Sequence, residues 1–295
     1  GDLVHVTSKR GSILVPVQAS TELGLSQVFM AMHWGEEFLS GMSSTGQRLA
    51  GVNALTTSAY CPDSKQPEFK HAAVKVLKAD LPWSLLAMAW LPDDQVLDAR
   101  TWLQSLMGRF PYASCTPFAS QTALGATSAQ RQGVLFRAAA HEAPDPALIA
   151  QIESILQLDG TEVVRYADPK RGQRRAARLV RRTLDATLEG VLLAGDTSAQ
   201  GWISTLLQDE QPAQAYARAL MAPGAQPPAA VVSRGKTVCT CFNVTDVAIE
   251  TYLTDCPGDA KQRLESLQST LKCGTNCGSC VPQLQRLVRV SSIPA

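Results

Sequence analysis

Between Thr237 and Leu287 the chain carries Cys239, Cys241, Cys256, Cys273, Cys277 and Cys280; only Cys61 and Cys115 lie elsewhere. Cys239 and Cys241 form a C-x-C pair, and Cys277 and Cys280 form a C-x2-C pair. Thiols crowded at these spacings point to a metal or cluster in a reducing compartment, not to a disulfide scaffold. A [2Fe–2S] cluster needs four thiolates converging on two irons, and each pair can supply two. The glycines of CGTNCGSC let the backbone approach a bulky inorganic core. Amides near Gly278 and Ser279, ahead of a helix, can donate to an anionic group. A structural zinc site with four cysteine ligands uses the same number of thiolates and stays open at this point.

The elements that must position these thiols are legible in outline. Thr245 is placed to cap a helix over Asp246–Leu253, and Val281–Val290 reads as a closing helix with Pro282 in its first turn. The stretch between these two helices reads as a polar segment. Upstream, residues 223–236 (PGAQPPAAVVSRGK) have linker composition. Residues 81–222 alternate strand and helix patterns and predict an α+β domain. Trp83–Leu91, 132–139, 163–166, 175–180 and 188–194 are its strands. Asp93 or Asp94, Pro146 and Asp196 mark its helix starts. Residues 1–80 read mostly as strand, with a hairpin of Leu3–Val6 and Ser12–Val17 around SKRG and further strands at Val28–Met32 and His71–Leu77. A long Gly/Ser/Thr/Asn-rich loop follows His33-Trp34, and loops of that length in compact domains usually carry function.

Composition excludes some classes. The net charge is +1, so the protein is not generally basic. The run Lys170, Arg171, Arg174, Arg175, Arg178, Arg181, Arg182 has no interleaved aromatics; its simplest reading is a solvated strand face and not a nucleic-acid surface, with docking of an acidic redox partner as the alternative. No apolar run reaches the roughly 18–20 residues of a membrane span. The chain opens GDLVHV without a basic leader and is expected to start inside a domain, as part of a longer polypeptide.

Two stretches resemble known families. C-x-C-F-N-V-T at Cys239–Thr245 with G-x-x-C-G-S-C at Gly274–Cys280 resembles the bacterioferritin-associated ferredoxin type of [2Fe–2S] domain, which is also appended to assimilatory nitrite and nitrate reductases. The resemblance implies Cys239, Cys241, Cys277 and Cys280 as cluster ligands. The gap from Cys241 to Cys277 is slightly longer than the compact pattern, and Cys273 stands where a different third ligand could sit. At the front, GDLVHVTSKRGSILVPV, VFMAMHWGE and GVNALTTSAYCPDSKQPEFKHAAVKV resemble the C-terminal molybdopterin-dinucleotide-binding domain of bis-molybdopterin oxidoreductases, most closely of assimilatory nitrate reductases. That resemblance implies a double-psi β-barrel, incomplete here at its N-terminus, that caps the molybdenum cofactor. It makes Asn53 and Lys70 cofactor contacts, with His33 and Trp34 near the funnel to the metal and Ser64 and Gln66 as weaker candidates. In the middle, YADPKRGQRRAARLV and LEGVLLAGDTSAQGW are similar to a small C-terminal domain of NADH-dependent nitrite and rubredoxin reductases, which implies an accessory or docking role.

The expectation is therefore a multi-domain protein. Residues 1–80 would be the barrel portion, 81–222 the α+β accessory domain, 223–236 a linker and 237–295 a small, mainly helical [2Fe–2S] domain. The implied cofactors are Mo-bis(molybdopterin guanine dinucleotide) and a [2Fe–2S] cluster. The implied activity is reduction of nitrate to nitrite in the cytoplasm. The N-terminal catalytic half of the same polypeptide would be its partner, with an NADH-linked flavoprotein, ferredoxin or flavodoxin as donor, and this portion alone would be inactive. Neither nucleic acid nor membrane is an expected partner. A formate dehydrogenase sharing the front domain and a non-enzymatic zinc module are the competing readings.

Overall fold

A computed structural model describes residues 2–20, 23–30, 35–42, 46–49, 51–66, 71–119, 131–181, 185–224, 226–231, 235–239, 242, 244–275, 278 and 280–290. The chain divides into two compact units. One comprises Gly1–Phe118 and Gln132–Ala229, the other Ala119–Arg131 and Ala230–Ala295.

The first unit opens with β1 (Leu3–Ser8) and β2 (Ser12–Pro16), which pair antiparallel in the expected hairpin, Val6 opposite Ile13. Gly11 faces the Ala54 carbonyl so closely that a Cβ would stand 2.7 Å from the oxygen, so only glycine fits without a backbone shift. After β3 (Leu39–Met42), β4 (Arg48–Leu49) and a 3-10 turn at Val52–Leu55 comes β5 (Val74–Lys78), which lies on the other side of β1. The alternation of β1 sends Val4 and Val6 inward, where they meet Ile13 and Leu55. Residues 28–30 carry no regular strand, and 31–32, the rest of that expected strand, lie outside the described residues.

The remaining elements of this unit are β6 (Trp83–Leu91), α1 (Val96–Met107), β7 (Tyr112–Ala119), β8 (Gln132–Ala140), α2 (Pro146–Ile155), β9 (Val163–Asp168), β10 (Gln173–Arg181), β11 (Ala186–Ala194), α3 (Gln200–Gln208) and α4 (Ala217–Met221). They build an eight-stranded sheet in the order β4-β3-β7-β8-β6-β11-β10-β9, to which two strands from before residue 80 contribute. β6 lies near its middle and, apart from Ser84, is apolar because both of its faces are covered. Trp83, Leu85, Ala87, Ala89 and Leu91 join the core shared with α1 and α2. On the opposite face Trp90 donates its indole N–H to the Leu207 carbonyl of α3 at 3.1 Å. Each fully buried large side chain here contributes on the order of 1.5–3 kcal/mol. Pro146 sits at the start of α2, where Asp145 accepts from the Ala147 amide. α1 begins one residue beyond the expected cap, after Gln95, and α3 follows Ala199. Asp196 instead turns its carboxylate to Arg175 and to the Gly224 amide.

β10 corrects the reading of the basic run. Arg175 is 1% exposed and Arg178 8%. Arg175 donates to the Leu220 carbonyl of α4 at 3.1 Å and to Asp196 at 3.0 Å. Arg178 donates to Trp90 O at 2.9 Å and to Gln157 O at 3.1 Å, while Arg174 pairs with the buried Glu153 of α2. These guanidiniums satisfy carbonyls at helix ends and sheet irregularities. They are internal ties, which strand alternation alone could not reveal, because arginine carries its charge far from the Cβ that the pattern reports.

The second unit is small and mainly helical. β12 (Thr237–Cys239) and β13 (Val244–Thr245) form a two-stranded ribbon, followed by α5 (Asp246–Thr254), α6 (Ala260–Leu271) and α7 (Val281–Val290). Thr245 accepts from the Ala248 amide and caps α5. The polar segment holds α6, opened by a capping box of Asp259 and Gln262. Ile249, Leu253, Leu267, Leu284 and Val288 form the core with Cys239, Cys273 and Cys280.

Candidate metal centre

The thiols of the second unit arrive from its two ends. Cys239 terminates β12 and is 2% exposed; Cys280 precedes α7 and is 6% exposed. They are hydrogen-bonded to each other. The turn that delivers Cys280 starts where α6 ends at Lys272, whose left-handed φ of 57° reverses the chain. Gly274 continues it with a φ of 81°, and its absent Cβ would stand 3.0 Å from both Gln268 Nε2 and Val281 Cγ2. Glycine is required there on both counts. Its amide donates to the Cys280 sulfur. Gly278, at φ 73°, has open space where a side chain would be.

Cys273 is the thiol that the spacing left open. It is fully buried and shares the core of Cys239 and Cys280. Burial pushes Cys280 up to about 11, with the hydrogen bond to Cys239 and its charge adding to the effect. Burial likewise pushes Cys273 up to about 11, followed by the charges of Cys239 and Cys280. Apolar surroundings and mutual repulsion oppose ionisation, which is the situation a bound cationic metal reverses, since a coordinating thiol is deprotonated outright. The donor set, the N–H···S bond from Gly274 and the glycine-lined approach fit an iron–sulfur cluster. Of the expected ligands, Cys239 and Cys280 are brought together, while Cys241 and Cys277 lie outside the described residues. Cys256 is only partly buried and packs at the edge of the core.

In the first unit, Asn53 is exposed on the 3-10 turn and is held by the buried Val52 and Leu55 on either side. Gly51, at φ 74°, lets the chain enter that turn. An accessible amide on an anchored turn fits a contact with a large cofactor, and Asn53 alone carries that test, because Lys70, His33 and Trp34 lie outside the described residues. Ser64 serves a nearer partner, hydrogen-bonding Cys61. A cavity of about 830 Å³ opens beside β1 and β2, lined chiefly by apolar side chains such as Val6, Ile13 and Phe29. Arg137 is the one cation among its described lining residues, fewer charges than a pyrophosphate calls for.

Comparison with known proteins agrees with this layout. Residues 1–73 match the molydopterin dinucleotide binding domain family, and residues 237–289 match the BFD-like [2Fe-2S] binding domain family. A nitrate reductase of Klebsiella oxytoca is 26% identical over 291 residues, covering 98% of this chain and 28% of that protein. A nitrate reductase of Synechocystis sp. is 43% identical over 69 residues, covering 23% of this chain and 8% of that protein. No solved structure matches the chain. The chain thus spans less than a third of the length of either relative. The two domain matches support Mo-bis(molybdopterin guanine dinucleotide) and a [2Fe–2S] cluster as its cofactors. With the two nitrate reductase relatives, they support reading the chain as similar to a C-terminal portion of nitrate reductase, with a dinucleotide-binding segment in front and a BFD-like segment behind.

Proposed function

We propose that the chain is the cofactor-closing and electron-receiving portion of an assimilatory, molybdenum-dependent nitrate reductase. The observation that carries this reading is the meeting of Cys239 and Cys280 in a dry core within the segment that matches the BFD-like family. When bound, the cluster supplies one-electron transfer, and the molybdenum cofactor supplies the chemistry by which nitrate takes up two electrons and two protons to give nitrite and water.

The residues of this chain do the holding. Cys239, Cys241, Cys277 and Cys280 serve as thiolate ligands. The Gly274 amide steadies the Cys280 sulfur, and Ile249, Leu253, Leu267 and Leu284 keep water from the inner side of the site. In front, residues 1–80 form part of a double-psi barrel in which Asn53, Lys70, His33 and Trp34 touch the pterin dinucleotide or line the approach to it. The amide of Asn53 reads a base or pterin edge, and Lys70 neutralises pyrophosphate. Residues 81–222 are the accessory domain and 223–236 the tether of the 237–295 cluster domain. The N-terminal catalytic half of the polypeptide completes the nitrate site. The donor is an NADH-linked flavoprotein, a ferredoxin or a flavodoxin, and the setting is the cytoplasm, where thiols stay reduced. No helix among the described residues is long and apolar enough to cross a membrane.

The test is metal content and spectroscopy of the 295-residue chain loaded anaerobically with iron and sulfide. The expected product is brown, holds two irons per chain and gives an EPR signal after reduction. A colourless protein with stoichiometric zinc would overturn the reading. Nitrate reduction by this chain alone would overturn the division of labour between the two halves.

A further inference from the structure

We infer that the cavity between the β1–β2 hairpin and the β7–β8 face of the large sheet is a binding site for a small carboxylate with an apolar body, its head held by Arg137. The site lies within the first unit and does not rest on the cluster reading.

Strand alternation builds a polar wall. Tyr112, Ser114 and Thr116 share one face of β7, and Leu135 and Arg137 share one face of the neighbouring β8. All five line the cavity. The opposite faces of the two strands, with Ala113, Cys115, Val134 and Phe136, belong to the core shared with α1 and α2. Across the cavity the wall is apolar, with Val6, Ile13 and Val15 from the hairpin and Phe29 and Met30 beyond it. The result is one charged corner in an otherwise oily space.

Arg137 is the group that calls for a ligand. Its Nε is buried and has no hydrogen-bond partner among the described residues. No Asp or Glu stands among the described residues of the lining. A buried charged donor left unsatisfied is costly, and native proteins keep few of them. A carboxylate entering the cavity would accept from the guanidinium fork. The Tyr112 hydroxyl, close enough to feel the charge of Arg137, donates to Ser114 Oγ at 3.4 Å, which leaves the Ser114 O–H to donate in turn. One cation with neutral hydroxyls matches a single carboxylate. The apolar remainder matches an alkyl or aromatic body, and about 830 Å³ falls in the range of small-molecule sites, about 300–1,000 Å³.

The experiment titrates the full chain, with and without iron and sulfide, by calorimetry. Three probes share one body and differ in the head: octanoate, octanol and octylammonium. The expected result is one octanoate per chain, bound about tenfold or more tighter than octanol, with octylammonium weakest, whether or not the chain holds iron. Arg137→Met should bring octanoate down to the affinity of octanol and leave octanol itself unchanged. Ser114→Ala removes one oxygen and carries the test if Arg137→Met does not fold; it should weaken octanoate several-fold and leave octanol alone. Equal affinity for the three probes would make the cavity an apolar groove without head-group recognition and overturn the inference. Failure of octanoate to bind would also overturn it. So would a dimer in sedimentation that octanoate does not dissociate, which would give the groove to a second copy of the chain. Zinc in place of iron, with the octanoate preference intact, would sink the cluster reading and still support this one.

Discussion

Cys239, at the end of β12, is hydrogen-bonded to Cys280, at the threshold of α7, within the buried core of the second unit. The contact joins the first strand of the second unit to its last helix. Replacing either partner with serine should therefore cost more than a ligand. Cys239→Ser and Cys280→Ser should each lose most of the iron and visible absorption of the loaded chain, while Cys256→Ser, at the edge of the core, should keep both. Iron assays on the three variants, made in parallel, provide the check.

The arginines of β10 should matter for stability and not for docking. Arg178→Ala leaves the Trp90 and Gln157 carbonyls without this donor and should destabilise the first unit by about 1–3 kcal/mol. Arg181→Ala, on an exposed side chain of the same strand, should stay within about 0.5 kcal/mol. Urea denaturation followed by tryptophan fluorescence separates the two; equal midpoints would contradict the internal-tie reading.

Asp196 predicts an acid limb of stability. Burial opposes its ionisation, but hydrogen bonds from Ser198 and the Gly224 amide, and then the charge of Arg175, hold its carboxyl below the usual carboxylate value. A depressed folded-state value means that the contribution is present above the unfolded pKa, about 3.9 for aspartate, and is lost as pH falls through the folded one. Asp196→Asn should be less stable at neutral pH by about 1–3 kcal/mol. It should also show a shallower loss of stability in acid than wild type, measured as denaturation midpoints from neutral pH downward.

The two thiols of the first unit should differ sharply in reactivity. Cys61 is exposed, and hydrogen bonds from the Ser64 side chain, then from the Ser64 and Asp63 amides, lower its pKa. Cys115 is fully buried, and burial pushes it up to about 12. Iodoacetamide should label Cys61 within minutes at neutral pH and leave Cys115 unmodified until the chain unfolds. Peptide mass mapping reads this directly, and Ser64→Ala should slow the Cys61 reaction.

Gly274→Ala places a side chain at φ 81° and within 3.0 Å of Gln268 and Val281. It should destabilise the second unit by about 1–3 kcal/mol and lower its iron occupancy. Gly201→Ala in α3 meets open space and should be neutral or slightly stabilising. Thermal melts of both variants check the contrast.

How far the sequence could be read depended on whether the deciding contact was local. The hairpin at SKRG, Pro146 at the start of α2 and the Thr245 cap are written within a few residues, and each was legible. α6 was hidden by its polar surface, yet Asp259 and Gln262 spell its capping box, a signal that was there to use. β7 carries Cys115 and Tyr112 into the core, but it is mixed in composition, with Pro117 inside it, and takes its place from its neighbours β3 and β8. The expected strand at Val28–Met32 is not formed at 28–30, where Met30 packs instead against the cluster of Val4, Val6, Ile13 and Leu55. The arginines of β10 misled because their partners, Trp90, Gln157, Asp196 and Leu220, are distant in sequence. At the metal centre, spacing found the thiol pairs, but the depth of Cys273 came only from the packing of three helices around it.

The placement of Cys239 and Cys280 at opposite ends of the second unit also sets an order of events during synthesis. While the ribosome is still making α6, the nascent chain can offer iron only the C-x-C pair and loose thiols. The site can close only after the chain beyond Cys280 has emerged and α7 has packed. Cluster insertion should therefore be a late, post-translational event, and a message truncated within the last helix would yield a chain with every cysteine in place and nothing to clasp them.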